Sequence, residues 1–252
     1  MVPSRNILVG KGLTKRFGGF TAVDGVDLAV REGAIHALIG PNGAGKTTVF
    51  NLLTKFLVPS SGQIFFRDKD ITDTKPADIA KLGIVRSFQI SAVFPKLSVL
   101  DNLRVALQRP YGLAVQCWRS SKVLSTLDER ALELIAAVNL QQHVRTPAGQ
   151  LSYGSKRALE IATTLALDPA LLLLDEPMAG MPHEEIGRIS SLIKVIGKSR
   201  TVLMVEHNLS VVADLCDRVT VLQRGKILAE GDYETVSKDH RVREAYMGLE
   251  DA

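Results

Sequence analysis

Residues Gly40-Pro41-Asn42-Gly43-Ala44-Gly45-Lys46-Thr47 match the pattern G-x-x-x-x-G-K-[ST] without interruption. Residues of these types at this spacing bind phosphate. The glycines let the backbone wrap closely round a polyphosphate, and a helix opening after them adds unpaired N–H groups and its positive dipole end. Lys46 is placed to reach the β- and γ-phosphates, the Thr47 hydroxyl is a ligand for Mg²⁺, and Thr48 belongs to the same nucleotide-binding stretch. A second run, Leu171-Leu172-Leu173-Leu174-Asp175-Glu176, is apolar and ends in two acids. Such a run is expected of a strand buried on both faces whose carboxyl end meets the ligand. There Asp175 would hold the magnesium through a water and Glu176 would polarise an attacking water. Together the two stretches imply a site that binds and cleaves a nucleoside triphosphate.

The elements that must carry these residues can be read around them. Ile35-His36-Ala37-Leu38-Ile39 is a short apolar strand before the loop, and Thr48 to Leu53 continues it with helical apolar spacing. Up to about Phe88 the chain reads as short strands, among them Ile64-Phe65-Phe66. From about Gln89 to Gly149 it turns helical: one helix starts over Leu97 to Leu103, and Ala131 to Val138 has the 3.6-residue period of another. Ser155 reads as a helix N-cap ahead of Lys156 to Ile161. Farther on, Ile186, Ile189, Leu192, Ile193 and Ile196 form a helical apolar stripe, while Thr201 to Val205 and Val219 to Leu222 read as strands.

Between the phosphate loop and the acidic strand lies Leu151-Ser152-Tyr153-Gly154-Ser155, with Gln89 after Val85-Arg86-Ser87-Phe88 and His207 in Val205-Glu206-His207-Asn208. The order of phosphate loop, glutamine, LSGGQ-like signature, LLLLDE and histidine resembles the ATP-binding subunits of ABC transporters over most of the chain. The resemblance implies one α/β domain over 1–252, a P-loop NTPase with a RecA-like core, an antiparallel β subdomain and an inserted α-helical subdomain. The core and β subdomain are expected over 1–88 and 157–252, the helical subdomain with the signature over 89–156. It further implies that Phe17 stacks on adenine, that Gln89 touches Mg²⁺ and the water, and that His207 contacts the γ-phosphate and the attacking water. Ser152 and Gly154 would meet the γ-phosphate of ATP held by a second ATPase subunit, either the same chain or a paralogue. The expected partners are that subunit, two membrane permeases and, indirectly, an extracytoplasmic solute-binding protein, with Val93-Phe94-Pro95 as the edge where a permease helix docks.

Within that family, Tyr153 in the signature, the opening Arg16 to Val26 and the tail Val242-Arg243-Glu244-Ala245-Tyr246-Met247-Gly248 are similar to the branched-chain (hydrophobic) amino acid uptake group, whose tail here covers 236–252. Importers of urea, amides or aromatic acids share these features, so the solute stays open. The chain also departs from the family pattern. Ser155 stands where Gln is usual, Tyr153 where Gly is usual, and Pro182 where many relatives place an Asp that couples two sites. A soluble ABC ATPase without a transport role, or a nucleotide-binding regulator with weak hydrolysis, remains the rival reading.

Composition is compatible with this. The 252 residues can bury one large core, and 46% hydrophobic residues is ordinary for an α/β protein. The apolar stretch from Leu165 to Leu174 is cut by Asp168-Pro169, so no segment reads as membrane-spanning, and Met1 to Arg5 carries no secretory signal pattern. The expected location is peripheral, on the cytoplasmic face of the inner membrane. Cys117 and Cys216 lack metal or CxxC spacing and suit reduced thiols. The net charge of +4 is spread along the chain with acids between the bases, which argues against nucleic acid.

Overall fold

The computed structural model of the chain describes residues 5–87, 93–110 and 126–247. The first part runs β1 (Asn6–Phe17), β2 (Phe20–Arg31), β3 (Ile35–Ile39), α1 (Lys46–Leu53), β4 (Ser61–Phe66), β5 (Lys69–Asp70), α2 (Pro76–Lys81) and β6 (Ile84–Arg86). Then come α3 (Val99–Gln108), α4 (Asp128–Ala137), α5 (Tyr153–Leu165), β7 (Leu171–Asp175) and α6 (His183–Gly197). The chain continues through β8 (Thr201–Val205), α7 (Leu209–Leu215), β9 (Arg218–Gln223), β10 (Lys226–Gly231), α8 (Tyr233–Lys238) and α9 (His240–Met247). These fall into two compact units, one of Met1–Arg86, Ala170–Pro177 and Ile193–Ala252, the other of Ser87–Pro169 and Met178–Leu192.

The first unit holds both sheets. An antiparallel sheet has the order β2-β1-β4-β5, and a six-stranded sheet the order β10-β9-β3-β8-β7-β6, in which β9, β3, β8, β7 and β6 run parallel and β10 antiparallel. Every residue of β3, β7 and β8 is buried, which is why these strands read as unbroken apolar runs rather than alternations. One apolar core joins the sheets: Leu8, Leu28 and Ile64 from the first, Leu38, Leu173 and Val205 from the second, and Val49, Phe50 and Leu53 from α1. Burial of that face of α1 holds its first turn, and hence the phosphate loop, in place.

The second unit is helical in its named elements. Ser98 caps α3 by accepting the Asp101 N–H at 3.1 Å. The buried Asn102 accepts from Phe94 N–H at 2.7 Å and donates to the carbonyls of Phe94, Leu97 and Ser98, which fixes the segment before α3. Arg104 grips Asp128 with Nε and Nη2 at 2.7 and 2.8 Å, tying α3 to α4.

Two expectations change here. Ser152, not Ser155, is the N-cap of α5: the helix starts at Tyr153, and the Ser155 N–H donates back to the Ser152 hydroxyl. The helix is also continuous through Lys156, so the expected boundary between 89–156 and 157–252 falls inside one rigid element, and the second unit runs on to Pro169 and takes in Met178–Leu192.

Candidate functional site

The parallel strands bring three of the sequence motifs to one edge. Leu38 of β3 lies opposite Val205 of β8, and Val205 opposite Asp175 of β7. Gly40 follows Leu38 by two residues, His207 follows Val205 by two, and Glu176 follows Asp175 directly, so all three leave the carboxyl ends of adjacent strands. That edge is where an open α/β sheet binds its ligand.

The loop between β3 and α1 is shaped by close backbone contacts. Gly40 has φ +147°, and a Cβ there would lie 2.2 Å from the Leu222 carbonyl oxygen. Gly45, at φ +103°, would meet the Ala22 carbonyl at 2.6 Å. Only glycine fits at these two positions, so the loop is held close to its surroundings at both ends, while Gly43 between them faces open space. No side chain caps α1, which leaves its first-turn N–H groups without a side-chain acceptor and free for an anion. Pro41, Asn42, Gly43 and Ala44 line a pocket of about 280 Å³ with Gln223, Arg224, Glu244 and Ala245, so the C-terminal helix reaches the outer side of the loop. Lys46 is buried and folds back, its Nζ donating to Gly40 O at 2.6 Å and Pro41 O at 2.9 Å. Burial lowers its pKa, while Glu176 and then Asp175 pull in the other direction. Those two acids therefore sit within electrostatic reach of the lysine. Thr47 is exposed and Thr48 half-buried.

Asp175 is 1% exposed and paired with Arg86, whose Nη1 also donates to Asn51 of α1 at 2.6 Å and whose guanidinium lies 5.8 Å from the Phe50 ring centre. In the sequence Arg86 is only a near neighbour of Gln89, and nothing local signals a pair so distant in the chain. Glu176 takes a left-handed backbone, φ +44°, held by its N–H donating to Val205 O at 3.0 Å. An ordinary residue in that region is strained, which is typical of functional positions. His207 is exposed, and the cap of α7 is Asn208 instead, accepting from Ser210 and Val211 N–H. Phe17 is 46% exposed at the end of the β1–β2 hairpin beside Phe20, with Lys15 Nζ 5.3 Å from its ring centre, so it is not a core residue. Gln89 lies outside the described residues, as does Cys117.

The signature belongs to the other unit. Ser152 is exposed at the N-cap of α5, and Gly154 is buried in its first turn. Ser152 Oγ donates to Glu185 Oε1 at 2.8 Å, and Gly154 N–H donates to Glu185 Oε2 at 2.7 Å. The Tyr153 hydroxyl donates to Ala179 O at 3.1 Å. Arg188 reaches Ser155 Oγ at 3.4 Å and Asn139 O at 3.0 Å.

Two further groups lie outside the chemistry. His36 is buried in β3 with Nε2 2.8 Å from the Thr220 hydroxyl, and burial takes its pKa down to about 4, so it stays neutral. Burial pushes the Cys216 thiol up to about 12, leaving it unreactive. Among the described residues no cluster of three or more His, Cys, Asp or Glu could hold a metal ion. A metal at this site would have to be a hard cation content with a hydroxyl, one carboxylate and phosphate oxygens, which suits Mg²⁺.

A glycine loop between a buried parallel strand and an uncapped helix, facing two acids across neighbouring strand ends, defines a nucleoside triphosphatase. The pattern of the family described as ABC transporter matches residues 23–179, and that of the branched-chain amino acid ATP-binding cassette transporter matches residues 226–252. The chain is 37% identical over 252 residues, 97% of its length and 99% of the relative's, to the high-affinity branched-chain amino acid transport ATP-binding protein LivG of Salmonella typhimurium. The ADP conformation of MJ1267, an ATP-binding cassette of an ABC transporter, superposes with a TM-score of 0.85 at 31% identity, covering 97% of this chain and 100% of that one. The dimeric structure of MJ0796, a bacterial ABC transporter cassette, does so with a TM-score of 0.73 at 25% identity, covering 90% and 98%. This chain belongs to the ABC transporter family; it is an ATP-binding, ATP-hydrolysing cassette. The antiparallel sheet, the parallel core and the helical unit are the architecture expected of it.

Proposed function

We propose that the chain energises an importer of branched-chain, hydrophobic amino acids, with ATP and Mg²⁺ bound at the strand ends. The observation that carries the solute is the match of residues 226–252, together with a LivG relative aligned over 97% of the chain. The observation that carries the chemistry is the common register of Leu38, Val205 and Asp175.

In this reading Phe17 stacks on adenine, and the amides from Gly40 to Thr48 with Lys46 take the phosphates. Thr47, Asp175 and Gln89 would hold Mg²⁺, which supplies neutralisation of phosphate charge. Glu176 polarises the water; His207 and Gln89 hold it in line. Ser152 and Gly154 serve the ATP of a second cassette, so two copies, or this chain and a paralogue, enclose two nucleotides head to tail. The helical unit, at its Val93-Phe94-Pro95 edge where Phe94 is 53% exposed, docks one of two permeases. No described helix is long and apolar enough to cross a membrane, which fits a peripheral subunit borrowing its pore at the cytoplasmic face. A solute-binding protein contributes indirectly. The tail over 236–252, which takes in the end of α8 and all of α9, would be the group's own addition.

Disrupting the gene and following uptake of labelled leucine, urea and benzoate tests the solute. Leucine uptake should fall and return with the wild-type gene; loss of urea or benzoate uptake alone would reassign the importer. Ser152→Arg tests the signature: nucleotide should still bind the monomer, while ATP-driven dimerisation and turnover collapse because a bulky cation fills the γ-phosphate seat. Normal dimerisation by light scattering would reduce the signature to a helix cap.

A further inference from the structure

We infer that Glu185 is a built-in occupant of the signature's phosphate seat, a carboxylate that a γ-phosphate must displace before two cassettes close. The inference rests on the reading of Ser152 and Gly154 as γ-phosphate ligands. Its own basis is the geometry around them. Both carboxylate oxygens are used, Oε1 by the Ser152 hydroxyl at 2.8 Å and Oε2 by the Gly154 amide at 2.7 Å. These are the two donors proposed for phosphate, so the seat already holds an anion of similar shape: a planar pair of oxygens in place of two oxygens of a tetrahedral one.

The contact is not a generic helix cap. Ser152 is the N-cap of α5 and its hydroxyl already accepts the Ser155 N–H at 3.3 Å. Gly154 is the second residue of the helix, where the N–H has no intrahelical acceptor. Glu185, in the first turn of α6, supplies that acceptor from 31 residues away. The fit is close enough that a Cβ on Gly154 would lie 2.8 Å from the Glu185 Cδ, so an alanine there would make the carboxylate shift away from its present place. Charge-assisted hydrogen bonds at a helix N-terminus are strong, and Glu185 and phosphate cannot hold the same donors together. The carboxylate thus keeps the donors aligned while setting a threshold that ATP on a partner must overcome.

Two measurements on the full chain test this. The first needs no dimer: amide hydrogen exchange at Gly154 in the nucleotide-free monomer, wild type against Glu185→Ala and Glu185→Asp. Exchange should rise about 10-fold or more when the carboxylate is removed or drawn back by one methylene, in proteins with unaltered melting temperature. Equal exchange would overturn the inference. The second is the ATP concentration at half-maximal dimerisation, by light scattering in a Glu176→Gln background. Glu185→Gln removes the charge and turns one acceptor into a donor, and should lower that midpoint about 10-fold, with Glu185→Asp shifting it the same way. An unchanged or raised midpoint, while Ser152→Arg still abolishes dimerisation, would sink the competition and leave the signature reading standing. Normal dimerisation of Ser152→Arg would sink both.

Discussion

The two anion seats of this cassette are kept ready by opposite means. In the first unit the seat is built of backbone: Gly40 and Gly45 pin the loop against Leu222 and Ala22, and Lys46 turns its ammonium onto the loop's own carbonyls. In the second unit the seat is a hydroxyl and an amide at the start of α5, satisfied by the Glu185 carboxylate. A cation fills the gap in one, an anion in the other. The difference teaches that nucleotide can load at the loop by redirecting a flexible lysine whose charge remains favourable to phosphate. On the proposed reading the signature must first release a like-charged group, the Glu185 carboxylate. Loading and closure would thereby be separated by chemistry already present in one chain.

The largest expected effect breaks turnover while leaving both seats intact. Glu176→Gln keeps size and hydrogen bonding but cannot accept a proton, so hydrolysis should fall by about 10²–10⁴-fold. ATP affinity should survive, because Lys46, Thr47 and the loop amides are untouched. An ATP-bound dimer should then accumulate in Mg·ATP. Near-normal turnover would remove Glu176 from the reaction; lost turnover without a trapped dimer would break the proposed cycle.

Next in size is the scaffold of the first seat. Gly40→Ala places a methyl group 2.2 Å from a backbone oxygen at φ +147°. Strain and overlap together should cost roughly 3 kcal/mol or more of stability. Thermal melting and ATP titration should both register it. A melting temperature within a degree of wild type would mean that the loop is looser than its contacts indicate.

Lys46→Ala tests the cation itself. Losing a charge-assisted contact should cost about 1.5–3 kcal/mol of nucleotide binding, or about 10- to 100-fold in affinity. In the free protein the change should cost about 1–3 kcal/mol, since the buried Gly40 carbonyl loses its donor. Unchanged affinity by calorimetry would take the loop out of the site.

What could be read from the residues alone follows the same division. The phosphate loop and Leu171 to Glu176 are contiguous, and a buried parallel strand announces itself as an unbroken apolar run, so the first seat and its sheet were legible. Contacts that join distant stretches were not. Arg86 meets Asp175 89 residues on, and Glu185 meets Ser152 33 residues on, with no periodicity linking either pair. The start of α5 was misplaced because two serines compete for the cap; Ser152 takes it, with the Ser155 N–H as donor. A boundary at 156 falls inside α5, which runs from Tyr153 to Leu165. Gln89 and the segment 111–125 lie outside the described residues.

The smallest effect concerns Tyr153, the third residue of the stretch Leu151 to Ser155. Tyr153 is 55% exposed, and its hydroxyl donates to Ala179 O at 3.1 Å, at the surface of the helical unit. Tyr153→Phe removes that bond and keeps the ring. An exposed neutral hydrogen bond is worth about 0.5–1.5 kcal/mol, and here the freed carbonyl can turn to water, so the low end applies. Since Ala179 leads toward the segment that carries Glu185, loosening it should move the ATP midpoint of dimerisation by no more than about fivefold, while monomer ATP affinity stays as in wild type. Light scattering for the first quantity and calorimetry for the second give the split. A change in monomer affinity as large as that of Lys46→Ala would show that the two seats are not independent, and would undo the separation of loading from closure on which the comparison rests.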